Sequence, residues 1–231
     1  MLNLTEIKRK MAPYMKSLGL VSTAGQRIWF DDNGFFLTVV NIEPLGNAGF
    51  FLNVTVKFMW TTPEVISYDY YSGDSRIYAN DNPVTGAVCY DDPLLDEKIA
   101  CIVDKAQKKI TEYGRLREHG RYLKAIQSRN DFVRVANRGH EKMDVDLGIA
   151  RFFDGDHQSA IDIFTVASEK SQIAKSFLEH CSSQVDFESF LIYYINENRR
   201  QFAAKWNINL PPIDILFKKN AKSSFFNFFK K

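Results

Sequence analysis

The chain of 231 residues is 45% hydrophobic and 14% aromatic, which excludes wholesale disorder because enough apolar surface is present for a core. Its 30 Lys and Arg against 28 Asp and Glu leave a formal net charge of +2, which argues against a surface built throughout for nucleic acid. Cys89, Cys101 and Cys181 form no CxxC pair, so we expect reduced thiols. Because the chain has neither a signal-like apolar start nor an apolar run of about 18 residues, we expect a cytoplasmic protein.

The first predicted element is an amphipathic helix over residues 3–18. Ile7, Met11 and Met15 recur at helical spacing and predict one buried stripe. Gly19 follows where helices often end in a residue of positive φ, so we expect the helix to end there.

Antiparallel strands are predicted next. Residues 26–31 and 35–42 flank Asp-Asp-Asn-Gly, a hairpin signal because Asn-Gly tolerates positive φ. Residues 50–60, FFLNVTVKFMW, alternate with period two and predict a central strand with one buried and one solvated face. Shorter strands are predicted at residues 66–71, 75–79 and 87–90.

From residue 93 the apolar period becomes helical, which predicts helices over residues 93–114, 121–137 and 186–206. Residues 145–167 resemble a tetratricopeptide helix–turn–helix in the positions of their small and apolar residues. No second copy occurs at the repeat period, so the resemblance is one of packing. It is carried by Leu147, Gly148, Gly155, Ala160, Phe164 and Ala167.

Together these patterns predict an α+β protein. An N-terminal helix packs on a mainly antiparallel sheet, and a helical C-terminal half with one tetratricopeptide-like hairpin follows. We expect an α+β domain at residues 1–114, a helical subdomain at 115–217 and a Lys/Phe-rich tail at 218–231.

The N-terminal half also has a recognisable order of segments. A helix ending MKSLGL precedes the strands RIWF, FFLTVVNI and NVTVKFMW, and tyrosine-rich short strands lead to a helix ending ITEYG. With Trp29 and Trp60 in their positions, residues 3–115 resemble the uncharacterised bacterial family called domain of unknown function 4304. The resemblance implies no catalytic residues. Some relatives look like antitoxin-like or immunity proteins, which implies a role in binding.

Residues 68–92 hold five of the ten tyrosines and five aspartates against the single Arg76. Tyrosine offers a large rigid contact area, and a surplus of carboxylates favours a basic protein partner. The alternative interpretation is a set of edge strands and turns, where Tyr and Asp are common. The predicted contact residues are Tyr68, Asp69, Tyr70, Tyr71, Asp74, Tyr78 and Asp81.

Basic residues are concentrated between Arg115 and Arg138. We expect Arg117, Arg121 and Lys124 to share a helical face that could hold phosphates or an acidic partner. The alternative is a solvated helix face.

Histidines and acids cluster around the tetratricopeptide-like hairpin, with His140 and Asp144 at i, i+4. The pattern is neither HExxH nor a calcium loop, and helix capping explains it, so we expect no metal and no cofactor. No GxSxG, P-loop or GxGxxG occurs, so no catalytic residue is assigned. The cluster comprises His140, Glu141, Asp144, Asp146, Asp154, Asp156 and His157.

The tail at residues 218–231 places four phenylalanines between lysines. Such a segment lies in a membrane interface, docks on its own domain or is unstructured. Three functional hypotheses follow. The first is a non-enzymatic binding protein of bacterial immunity or defence with a basic partner. The second is an enzyme or nucleic-acid-binding protein that uses the basic helix. The third is a peripheral membrane adaptor.

Overall fold

The computed structural model describes residues 4–22, 27–46, 48–64, 66, 69–71, 74–80, 86–135, 141–181 and 183–217, with the backbone alone at 129–135 and 141–143. Tyr68, Asp81, His140 and the tail lie outside the described residues. The predicted α+β class is confirmed, since a helix, a five-stranded antiparallel sheet and a helical half follow one another. The elements are α1 (Leu4–Ser17), β1 (Val21–Ser22), β2 (Ile28–Asp32), β3 (Phe36–Pro44), β4 (Phe50–Phe58), β5 (Arg76–Ile77), α2 (Leu95–Gly114), a 3-10 turn (Arg115–Arg117), α3 (Arg121–Val135), α4 (Glu141–Phe153), α5 (His157–Ser168), α6 (Gln172–Glu179) and α7 (Gln184–Trp206).

The chain divides into two units by its internal contacts. The first, here called the sheet unit, comprises residues 1–114 and 196–212, and the second, the helical unit, comprises residues 115–195 and 213–231. The boundary between them falls inside α7, a division that the sequence pattern alone does not show. None of the helices in the described ranges is both long and apolar enough to cross a membrane.

Helix α1 ends at Ser17, and Gly19, with a φ of +78°, takes the predicted position just after its end. The Gly19 N–H donates to the Lys16 carbonyl at 3.0 Å and the Leu20 N–H to the Met15 carbonyl at 3.1 Å. This pair of bonds is the Schellman arrangement, in which a residue of positive φ satisfies the last carbonyls of a helix.

The strands pair in chain order from β1 to β5, each antiparallel to its neighbour. The predicted hairpin between β2 and β3 is confirmed, although only Gly34 of the Asn-Gly pair has positive φ, at +84°. Asn33 is instead buried, and its Nδ2 donates to Thr38 Oγ1 at 3.1 Å and to Asp31 Oδ2 at 2.9 Å. The turn is therefore fixed by an asparagine side chain as well as by a glycine.

Of the three shorter strands predicted after β4, the structure describes only parts. The second reduces to the two residues of β5, and the third to a single bridge between Val88 and Phe50. Tyr70, in the first, makes a single bridge to Val56. Turn-forming residues interrupt these segments, so they touch the edge of β4 at separate points.

One face of the sheet is apolar throughout β4. Phe50, Leu52, Val54, Val56 and Phe58 are all completely buried, as the alternation predicts. Helix α2 packs on β3 and β4. At its end the Tyr113 hydroxyl lies 3.5 Å from the Val54 carbonyl oxygen.

The opposite face, which we call the second face, is not solvated, so that prediction is wrong. Thr55 is 1% exposed and Lys57 is 0% exposed. The end of α7 covers them, since the Phe202 ring lies 5.6 Å from the Phe30 ring and 5.7 Å from Lys57 Nζ. Alternation reports which side chains are polar, whereas solvation depends on whether another element covers them. The second face carries Ile28, Phe30, Asp32, Leu37, Val39, Asn41, Asn53, Thr55 and Lys57.

In the helical unit, α4 and α5 form the predicted helical hairpin. The turn contains Gly155 at φ +90°, and Asp156 caps α5 by accepting from the Ser159 N–H at 3.3 Å. Gly148 on α4 packs against Phe164 on α5, and a Cβ there would stand 2.5 Å from Phe164 Cε1. The absence of a Cβ at position 148 therefore allows this close approach of the two helices.

Candidate binding surface

The segment that follows β4 returns along the outer edge of that strand. The Val56 N–H donates to the Tyr70 carbonyl and the Val54 N–H to the Ser75 carbonyl, each at 2.8 Å. Further along, Ile77 pairs with Leu52. The side chains of this segment therefore lie at one edge of the sheet.

Two of the predicted contact residues serve the fold itself. Asp69 Oδ2 accepts from the Phe58 N–H and from Thr61 Oγ1, each at 2.8 Å. Tyr70 is buried, and its ring lies edge-on to the Tyr113 ring at 5.9 Å. Both residues therefore anchor the returning segment.

Four other residues of the segment reach its exterior, and we call them the Tyr71 surface: Tyr71, Asp74, Arg76 and Tyr78. Tyr71 is 46% exposed and Asp74 is exposed, while Tyr78 is half-buried with its ring 5.2 Å from the Phe51 ring. The Arg76 guanidinium lies 3.3 Å from Asp74 Oδ1. The Asp74 carboxylate, with a smaller effect from Tyr78, raises the pKa of Arg76. The surface thus combines an exposed aromatic ring with a charged pair.

The carboxylates of this region are largely engaged within the protein. Asp69 holds the end of β4, and Asp74 is paired with Arg76. Asp92 caps the start of α2 by accepting from the Leu94 N–H at 2.8 Å and pairs with Lys98, whose hydrogen bond lowers the pKa of Asp92. The negative charge offered to a partner is therefore smaller than the composition of residues 68–92 indicates.

The basic residues of the helical unit do not form the predicted single helical face. Arg117 belongs to the 3-10 turn, and Gly120, at φ +80°, separates it from α3, which begins at Arg121. Arg121 forms an ion pair with Glu118, and Lys124 is exposed on α3. The i, i+4 spacing of Arg117 and Arg121 places them on one face only within a continuous helix, and the positive φ of Gly120 interrupts the helix between them.

The members of the metal-like cluster that the structure describes have separate surroundings. Asp156 is the cap of α5 and lies 3.4 Å from Arg151 Nη1, while Asp146 is buried. The His157 ring stacks on the Phe152 ring at 4.4 Å. In the part of the chain that the structure describes, no group of three or more His, Cys, Asp or Glu residues is placed to hold a metal ion.

The three thiols differ in environment. Cys89 is exposed, and half-buried Cys101 donates to the Ala79 carbonyl at 3.3 Å. Cys181 is buried and donates to the Phe177 carbonyl at 3.0 Å. Burial raises the pKa of the Cys181 thiol to about 11, so it is protonated at neutral pH and inert as a nucleophile.

A buried polar contact that the sequence analysis did not assign lies in the sheet unit. Arg199 is 1% exposed, and its guanidinium donates to both carboxylate oxygens of Asp32, at 2.8 and 2.7 Å. It also donates to the carbonyls of Gly34 at 2.6 Å and Pro211 at 2.7 Å. One side chain thus joins the β2–β3 turn, α7 and the segment after α7.

A signal for this contact exists in the sequence. The apolar stripe of α7 continues to Phe202 but places Asn198 and Arg199 where buried residues are expected. Asn198 Nδ2 donates to the Met59 carbonyl at 2.8 Å. Polar residues inside an apolar stripe indicate buried partners, because an unpaired buried polar group is costly.

Comparison of the chain with protein-family models, with curated proteins and with solved structures found no match in any of the three.

Proposed function

We propose that this chain is a non-enzymatic protein-binding module that contacts its partner through the Tyr71 surface. The observation that carries the proposal is Tyr71, an aromatic side chain 46% exposed beside residues that are otherwise anchored to β4. Tyrosine is favoured at binding sites because it presents a large area with few rotatable bonds to immobilise.

The proposed partner is a basic protein. Asp74 and the exposed Asp91 supply carboxylates, but Arg76 offsets part of that charge. We therefore expect the charges mainly to raise the rate of association, and the Tyr71 ring mainly to lengthen the lifetime of the complex. The resemblance of residues 3–115 to domain of unknown function 4304, with its immunity-like relatives, supports the same interpretation.

The test compares two exposed tyrosines. A photo-crosslinking amino acid is placed at position 71 or, as the control, at Tyr193, which is 70% exposed on α7. After irradiation in lysate of the native host, the proposal predicts one stoichiometric adduct from position 71 and none from position 193. Tyr71→Ala in the unlabelled chain, added as a competitor, should fail to reduce this adduct, whereas Tyr193→Ala should compete fully. Equal labelling from both positions would contradict the proposal.

The same experiment separates the other hypotheses. An adduct that disappears after nuclease treatment would favour nucleic acid, for which Arg121 and Lys124 provide an i, i+3 pair on α3. Capture of lipid by the full chain and not by a version ending at Phe217 would favour the membrane adaptor.

A further inference from the structure

Helix α7 crosses the second face in register with β2. Arg199 contacts Asp32, and three residues later the Phe202 ring contacts Phe30, two residues back along β2. Four helical residues rise about 6 Å, close to the advance of two residues along a strand, about 6.8 Å. Trp206 lies four residues after Phe202, with its ring 5.9 Å from the Phe202 ring, so this rise places it towards the next cross-strand row. That row is Ile28, Asn41 and Asn53, and it adjoins the row of Phe30, Val39 and Thr55.

Three buried polar atoms belong to the second face and to the end of α7 that packs on it. Trp206 Nε1, Thr55 Oγ1 and Asn53 Oδ1 are shielded from solvent and have no hydrogen-bond partner among the described residues. Thr55 is itself 1% exposed. Buried polar atoms in folded proteins almost always have a partner, so three orphaned atoms in one interface point to a bound polar molecule.

The chemistry of the three atoms defines that molecule. An indole N–H only donates, an amide oxygen only accepts, and a hydroxyl does either. A water molecule accepts from Trp206 and donates to Asn53 and Thr55, which falls within the two to four hydrogen bonds that buried waters make. We propose that the interface between the end of α7 and the second face is an internal water-binding site formed by Trp206, Thr55 and Asn53. The site is independent of the Tyr71 surface.

The direct test is nuclear magnetic resonance on the full chain. Trp29, Trp60 and Trp206 each give an indole N–H signal, and Trp206→Phe identifies the one from the site. The proposal predicts a cross-peak between the Trp206 indole proton and water, with the sign of a long-lived bound water in both NOE and ROE spectra. The ROE sign distinguishes this contact from chemical exchange. A Trp206 indole signal without that cross-peak would overturn the proposal.

A second test depends on the sign of a stability change. Valine replaces threonine with nearly the same shape and no hydroxyl. If water fills the site, Thr55→Val removes one hydrogen-bond partner of that water. The folded chain is then less stable, and the unfolding equilibrium constant rises roughly tenfold. If the site is dry, the same change removes an orphaned hydroxyl and lowers the constant. The double variant with Trp206→Phe should cost less than the sum of the single variants, because both remove bonds to the same water.

Thr38→Val is the matched control. Thr38 is also fully buried in the sheet, but its Oγ1 accepts from Asn33 Nδ2 at 3.1 Å. This variant should be destabilised whether or not the water site exists. A urea midpoint that rises in Thr55→Val while it falls in Thr38→Val would overturn the proposal.

Discussion

In the sheet unit the fully buried side chains include the guanidinium of Arg199 and the ammonium of Lys57, whereas the helical unit buries a cluster of phenylalanine rings. Arg199 is held by four carboxylate and carbonyl oxygens. Phe187 is surrounded by other rings, which lie 4.2 to 6.0 Å from its centre. Those rings belong to Phe152, Phe153, Phe164 and Phe177.

The difference shows two ways of specifying a core. Hydrogen bonds weaken steeply as their angle departs from linear, so the contacts of Arg199 allow one register of α7 on the sheet. Ring packing depends on volume and tolerates several orientations of each pair. The sheet unit should therefore be sensitive to the identity of its buried groups, and the helical unit to their size.

The largest effect is expected from Arg199→Ala. Asp32 would keep the Gly34 N–H but lose both guanidinium donors, and the Pro211 carbonyl would lose its bonds from Arg199. Breaking a buried ion pair from one side costs about 3–5 kcal/mol. Arg199→Met should cost nearly as much, because it restores length but no donors. Urea denaturation of the full chain measures both. The control is the neighbouring Arg200→Ala, which loses an exposed pair with Glu197 and should leave the midpoint unchanged. Equal losses of unfolding free energy in Arg199→Ala and Arg200→Ala would contradict a special role for the buried contacts of Arg199.

The next largest effect is expected from Phe187→Ala in the helical unit. The cavity left among the rings should lower the free energy of unfolding by about 3–5 kcal/mol. In contrast to Arg199→Met, the change Phe187→Met should recover much of the loss, because methionine fills irregular apolar space. The same urea series measures it. If methionine is as damaging as alanine at position 187, ring geometry and not volume specifies this core.

Gly148→Ala tests volume in the opposite direction. Helix propensity alone predicts that alanine stabilises an interior helical position by about 1 kcal/mol. The added Cβ, however, would stand 2.5 Å from Phe164 Cε1, so we expect a net loss of about 1–3 kcal/mol. Repeating the change in a Phe164→Leu background should reduce the loss. A stabilised Gly148→Ala would show that α4 and α5 are less closely packed than described.

The effect that is smallest at neutral pH concerns the buried thiol. Because the pKa of Cys181 is about 11 in the folded chain and about 8.5 in unfolded peptides, the folded state holds the proton more tightly between these values. Stability should therefore be constant below about pH 8.5 and fall as the pH rises towards 11. Cys181→Ala should lack this component of the decline. At neutral pH, alkylation followed by mass spectrometry should label exposed Cys89 first and Cys181 last.

Features set by neighbouring residues could be predicted from the sequence. The end of α1 at Gly19 and the β2–β3 hairpin depend on a few adjacent residues, and the alternation from Phe50 to Trp60 predicts a strand directly. The prediction that Arg117 and Arg121 share a helical face is wrong, because Gly120 interrupts the helix between them. Local signals thus predict an element more reliably than they predict the relation between two elements.

What covers a surface could not be read from local signals. The polar residues Thr55 and Lys57 made the second face look solvated, but α7 covers it. Helix α7 is far away in the sequence, since the bond from Asn198 to Met59 joins residues 139 positions apart. Composition likewise marked Asp69 and Tyr70 as contact residues, although the structure gives them internal partners. Polarity and aromaticity state what a side chain can do, and the tertiary partner decides what it does.

The separation of 167 residues between Asp32 and Arg199 has a consequence for the nascent chain. At a synthesis rate of about 5–20 residues per second, the ribosome adds Arg199 roughly 10–30 s after Asp32. The β2–β4 strands therefore wait for their cover in an unfinished polypeptide, at the stage when an exposed apolar sheet would aggregate. Thr55, Lys57 and Asn41 lie on that uncovered face among apolar neighbours, where polar and charged side chains disfavour pairing with other chains. We therefore expect these three residues, which the finished protein covers, to lower the tendency of the unfinished chain to aggregate.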